Sequence, residues 1–194
     1  FGQFDFLSRR GLPELMQILK KQNRKTIKIW SAACSRGQEV YSLATFLAYE
    51  IETKFKNEFD FVIHGTDIDH QSVDFASNGV YPWKDISEIP KQLLDNYWVR
   101  GTGEVKNFAR MKNTLKNKCS FSTFNLINMS KKDLKEKYDI IFCRNVLIYF
   151  APEQVSKVML AQTQINKKFV EMAVDLGYID DSKGKALLNL QQDD

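Results

Sequence analysis

The stretch TIKIWSAACSRGQEVYSLATFLAYEI, residues 26–51, decides the fold. It opens with Thr26 to Ser31, a β-branched and aromatic run of strand length. Small residues follow, Gly37 permits a tight turn, and a helix begins near it. Val40, Leu43, Ala44, Leu47 and Ile51 recur at the i, i+3, i+4, i+7 spacing of an amphipathic helix. A strand, a glycine turn and a helix in immediate succession form the first half of a parallel crossover unit.

The pattern repeats outward from there. Further strands are expected at Phe59 to Thr66, Cys119 to Asn125 and Tyr138 to Cys143. The second leads through Asp67 and Asp69 into a helix over His70 to Ser77, which Gly79 ends. Alternation of strand and helix predicts an α/β sheet of largely parallel strands. Residues 81–118 break the alternation. Pro90 opens a short helix, YWVRGTG supplies a glycine-rich turn, and Phe108 to Met111 follows, which together predict a small antiparallel insertion. Ahead of the first strand, residues 1–26 form a helical segment in which Leu12, Leu15, Met16 and Leu19 share one face and Pro13 stands in the first turn. Residues 27–160 constitute the main domain, and 161–194 a helical tail of separate character, with Val170, Ala173, Val174 and Gly177 on one face.

Composition narrows the function classes. With 194 residues, 43% of them hydrophobic, the chain can bury one core with a small appendage. No run approaches a membrane span, and the opening FGQFDFLSRRG lacks a secretory profile, so a cytoplasmic location is expected. Cys34, Cys119 and Cys143 form no CxxC pair and read as reduced thiols. The net charge of +4 comes from clusters such as Lys20-Lys21, Lys131-Lys132 and Lys167-Lys168 with acids nearby. These fit solvated helix faces or a surface that attracts an acidic protein, and no aromatic-interleaved basic stripe points to nucleic acid.

Ligands of doubly wound sheets bind beyond the carboxyl ends of the strands, so three polar corners carry the weight. In SAACSRGQEVYS, residues 31–42, small residues including Ala33 let a ligand approach the backbone. Glu39 could bind the ammonium of an amino-acid-like cofactor or simply complement the helix dipole. In GTDID, residues 65–69, Asp67 can accept both hydroxyls of a ribose, whereas Asp69 reads as the N-cap of the next helix. In FCRNVLIYF, residues 142–150, Arg144 and Asn145 emerge where an apolar strand ends. A nucleoside with a charged amino-acid tail fits these corners better than a dinucleotide, since the turn lacks GxGxxG. That points to S-adenosylmethionine.

Four ordered stretches, SAACSRGQEVYSLA, HGTDIDHQSVDFASNGVY, PKQLLDNYWVRGTG and YDIIFCRNVLIYF, resemble the chemotaxis-receptor glutamate O-methyltransferases, the CheR-type family, collinearly over about residues 27–150. The resemblance implies a class I S-adenosylmethionine-dependent methyltransferase fold with a Rossmann-like sheet. Glu39 would contact the methionine amino group, Asp67 the ribose, Asn125 and Leu126 the adenosine, and Asn145 and Tyr149 the reaction pocket. Asn125 also reads as a turn residue and Tyr149 as a core aromatic. The implied acceptor is a methyl-accepting chemotaxis receptor or a similar acidic helical protein. The turn around Arg100 to Gly103 resembles the subdomain with which some relatives hold a receptor tail.

A glutamate carboxylate, with an ordinary pKa near 4.3, is an ionised nucleophile at neutral pH, so the reaction needs positioning rather than a general base. His64 and His70 accordingly read as a strand residue and an exposed helix-start residue. An arginine facing the incoming carboxylate would help, and Arg9 or Arg10 in FDFLSRRGLPEL is its counterpart here. The chain departs from the family at Arg36 (usually Ser or Thr), Gln38 (usually Glu) and Val40 (often Pro). After Phe150 it reads mostly helical, so the last strands of the sheet are expected to be lacking. These departures leave a second reading open, a non-catalytic regulatory module that keeps the cofactor pocket.

Overall fold

The computed structural model describes residues 3–128 and 137–143. Asn145 and Tyr149, the expected pocket residues after the fourth strand, lie outside the described residues, as does the tail 161–194.

Two short helical stretches, α1 (Gln3–Phe6) and a π-type turn over Leu7–Gly11, run into α2 (Leu12–Lys21), with Pro13 in its first turn. Strand β1 (Thr26–Ala32) follows, then α3 (Gln38–Phe55), β2 (Asp60–Asp67) and α4 (His70–Asn78). The insertion contains β3 (Val80–Pro82), α5 (Trp83–Ile86), α6 (Lys91–Tyr97), β4 (Trp98–Arg100), β5 (Phe108–Met111) and α7 (Asn113–Lys116). Strands β6 (Cys119–Thr123) and β7 (Ile140–Phe142) complete the described elements.

The main sheet has the order β6-β2-β1-β7, every pairing parallel. The chain starts at β1, moves outward through β2 to β6, then returns to the other side of β1. The strand order therefore reverses between β1 and β7, where a doubly wound sheet opens a crevice at its carboxyl edge. The insertion folds separately as the antiparallel sheet β3-β5-β4.

Alternation along the strands sorts the two faces. Ile27, Ile29, Phe61 and Ile63 join Val40, Leu43, Ala44, Leu47 and Ile51 of α3 in one buried cluster, as the helical spacing predicts. Leu12, Met16 and Leu19 of α2 enter the same cluster, with Leu15 packed at its edge. On the opposite face Trp30 Nε1 donates to Thr66 Oγ1 at 2.9 Å, and the Trp30 ring stacks on Tyr138. His64 sits between Ser122 Oγ (2.8 Å) and the Tyr138 hydroxyl (3.0 Å), the strand residue expected.

Two strands are shorter than their sequence suggests, for local reasons. Strand β6 ends at Thr123 rather than Asn125, because the Asn125 side chain accepts the Ile127 N–H at 2.9 Å and turns the chain. Strand β7 begins at Ile140 rather than Tyr138. The Asp139 carboxylate, rather than a main-chain carbonyl, takes the Lys28 N–H at 2.8 Å while gripping both terminal nitrogens of Arg24.

Candidate functional site

The turn between β1 and α3 is built from conformations that side chains resist. Ala33, Ser35 and Gly37 have φ of 58°, 49° and 80°, all in the left-handed region. Only Gly37 is free of the Cβ penalty there, and it needs that freedom twice over. A Cβ at position 37 would lie 2.7 Å from Ala76 Cβ and 3.1 Å from the Tyr81 hydroxyl.

Contacts from neighbouring elements hold this turn. Cys34 N–H donates to the Thr66 carbonyl at 2.9 Å, and Gly37 N–H to the Cys34 carbonyl at 3.0 Å. The Asp67 carboxylate accepts Ser35 N–H at 2.7 Å on one oxygen and Asp69 N–H at 3.0 Å on the other. The Tyr81 hydroxyl donates to the Arg36 carbonyl at 2.6 Å. Burial raises the pKa of that hydroxyl, which keeps it a donor.

Glu39 stands in the first turn of α3, where the helix dipole favours a negative charge. The Ser31 hydroxyl, from the end of β1, donates to its Oε1 at 2.9 Å. Asp67, half-buried at the end of β2, lies on the strand next to β1, with Ala32 and Thr66 in register. Two of the roughly four lone-pair directions of its carboxylate are used by backbone amides, so two hydroxyls can still be accepted. Asp69 behaves differently: it accepts from Gln71 N, Ser72 N and Ser72 Oγ and is the N-cap of α4. His70 is exposed and pairs with Asp74, as a helix-start residue.

Leu126 is buried just past β6, and Asn125 forms the turn beside it. Two neighbours that sequence reasoning passed over are apolar and uncovered: Ile68 is 63% and Ile127 53% exposed. They follow Asp67 and Leu126 directly. The signal was available in GTDID and NLIN, where an isoleucine interrupts a polar corner.

Cys34 and Cys143 lie at the same edge. Burial pushes both thiols from an ordinary 9.0 up to about 12; Asp67 and Glu39 add to the rise at Cys34, and Glu39 at Cys143. Both therefore stay protonated at neutral pH, a poor state for a nucleophile.

The structure brings together Ala33, Gly37, Glu39, Asp67, Asn125 and Leu126 along the ends of β1, β2 and β6. It does not bring Arg9 and Arg10 to them. Arg9 is 74% exposed and paired with Asp5 at 2.7 Å, and Arg10 is exposed. Their neighbour Ser8 bonds Glu50, three turns along α3 from Glu39, about 16 Å away at 1.5 Å per residue.

Among the described residues no cluster of His, Cys, Asp and Glu could hold a metal ion, and no helix is long and apolar enough to cross a membrane.

Residues 2–179 match the family model described as "CheR methyltransferase, SAM binding domain". The chemotaxis protein methyltransferase of Borreliella burgdorferi is 36% identical over 147 residues, covering 76% of this chain and 50% of that protein. The Escherichia coli K12 protein of the same name is 32% identical over 148 residues, covering 75% and 47%. The Vibrio anguillarum protein is 36% identical over 158 residues, covering 80% and 54%. The chain thus spans about half the length of the curated relatives it matches.

Proposed function

Because this chain belongs to the CheR methyltransferase family, we propose that the carboxyl edge of β1, β2 and β6 seats S-adenosylmethionine and that the protein esterifies glutamate side chains of chemotaxis receptors in the cytoplasm. The fold is the class I methyltransferase sheet with its small antiparallel insertion, and the cofactor of the matched domain is S-adenosylmethionine. One observation carries the assignment to these residues: two carboxylates, Glu39 at the start of α3 and Asp67 at the end of β2, are each oriented by a hydrogen bond beside the turn that follows β1.

In this reading Glu39, fixed by Ser31, receives the ammonium of the methionine moiety through a charge-assisted bond. Asp67 accepts the two ribose hydroxyls with the lone pairs that Ser35 and Asp69 leave. Leu126, with Ile68 and Ile127, offers apolar surface for the purine. Asn145 and Tyr149 are proposed for the reaction pocket; Arg9 and Arg10, whose neighbour Ser8 bonds Glu50 towards the far end of α3 from Glu39, are not assigned to it.

The bound cofactor supplies an activated methyl group on sulfur. The protein holds an acceptor carboxylate in line with that methyl and excludes water from it, which supplies the rate without a general base. Cys34 and Cys143, kept protonated chiefly by burial, with Asp67 and Glu39 adding to the effect at Cys34 and Glu39 at Cys143, do not compete for the methyl.

Transfer of labelled methyl from S-adenosylmethionine to receptor membranes by the full-length protein tests this reading. Base-labile label on the receptor supports it. Cofactor binding without any transfer would instead favour the regulatory module.

A further inference from the structure

One of the hydrogen bonds that hold the turn at residues 33–37 comes from outside the main sheet. Thr66 and Asp67, both on β2, take the N–H groups of Cys34 and Ser35. Arg36 is held from the other side by the hydroxyl of Tyr81, on β3 of the small sheet. The Arg36 guanidinium also lies 5.2 Å over the Phe75 ring, and Phe75 packs edge-on against Tyr81.

We propose that Tyr81 is a positioning residue for the cofactor turn, holding it by the Arg36 carbonyl, so that the small antiparallel sheet acts as a strut for the cofactor pocket. This rests on the assignment of that turn to S-adenosylmethionine. The physical need is plain in the backbone. Three residues of the turn carry positive φ, two of them with side chains, and such a conformation persists only when its surroundings enforce it. Arg36 lies between the last two, and Gly37 leads directly into the helix that carries Glu39. Releasing the Arg36 carbonyl lets the turn relax, and binding must then restore its order, which weakens affinity without touching a cofactor contact.

Tyr81 is suited to the role. Its side chain is buried, and its ring is fixed by edge contacts to Tyr41, Phe75 and Trp98 at 5.6–5.9 Å. Removing the hydroxyl alone therefore leaves the ring in place. Tyr41 provides a matched comparison in the same cluster, because its hydroxyl donates at 2.9 Å to the carbonyl of Ala76, on α4, and not to a residue of the turn.

The test is a calorimetric titration of the full-length protein with S-adenosylhomocysteine, comparing wild type, Tyr81→Phe and Tyr41→Phe. Tyr81→Phe is expected to weaken binding roughly three- to tenfold, the worth of one neutral hydrogen bond. In transfer assays it raises KM for S-adenosylmethionine with kcat unchanged. Tyr41→Phe loses comparable stability and keeps the wild-type affinity. Wild-type affinity in Tyr81→Phe, or equal weakening in both variants, overturns the positioning role while leaving the cofactor site intact. Absence of binding by wild type overturns the cofactor site itself, and the proposal with it.

Discussion

The Asp67 carboxylate accepts the backbone N–H of Ser35 at 2.7 Å, which ties the end of β2 to the turn after β1. The residue proposed for the ribose thus also fastens the turn at residues 33–37. Asp67→Ala should expose the Ser35 amide to faster hydrogen exchange and cost about 1 kcal/mol of stability, since both freed amides are solvent-accessible. Amide exchange by NMR together with urea unfolding measures both. Unchanged protection at Ser35 would contradict the fastening role.

Gly37→Ala should destabilise by about 2 kcal/mol or more. The new side chain meets a left-handed φ of 80° and an Ala76 Cβ at 2.7 Å, and these penalties act together. Urea unfolding at neutral pH reads the loss. A midpoint equal to wild type would mean that the turn adopts another conformation.

Ile68→Ala separates binding from folding. Its side chain is 63% exposed, so stability should stay within about 0.5 kcal/mol of wild type. Affinity for S-adenosylhomocysteine should fall about threefold or more through lost apolar contact with the purine. Equal affinity would remove Ile68 from the site.

Much of this was legible in the sequence. The spacing of Val40, Leu43, Ala44, Leu47 and Ile51 gave the buried face of α3, and Asp69 was readable as a cap because its partners lie two and three residues away. Local chemistry writes itself into local order. The Tyr81 contact with Arg36 joins residues 45 apart in sequence, through an insertion whose docking no periodicity reports, and so it was invisible. The shortening of β7 was hidden for the same reason, because it depends on Asp139 reaching Lys28 across the sheet. Arg9 and Arg10 were singled out by resemblance, and the pairing of Arg9 with Asp5, one helical turn before it, is a contact of the kind that helical spacing predicts.

Stability should decline at alkaline pH. Burial holds the thiols of Cys34, Cys119 and Cys143 protonated up to about 12, against an ordinary 9.0 to which unfolding returns them. Their stabilising contribution is complete below about pH 9, where both states are protonated, and is lost as pH rises from there towards 12, because the unfolded chain then releases protons that the folded one retains. Urea midpoints from about pH 8 to about pH 10.5 should fall progressively above pH 9, and less steeply in Cys34→Ala. A flat profile would contradict the burial of these thiols.

The carboxyl edge of β1, β2 and β6, with Glu39 and Asp67, is the proposed S-adenosylmethionine site. Calorimetric titration of the full-length protein with S-adenosylhomocysteine, wild type beside Asp67→Ala, tests it most directly. Wild type should bind one-to-one, with a loss of about tenfold or more in the variant, as expected for a charged hydrogen-bond acceptor. An unchanged dissociation constant in Asp67→Ala, or no binding by wild type, would contradict it.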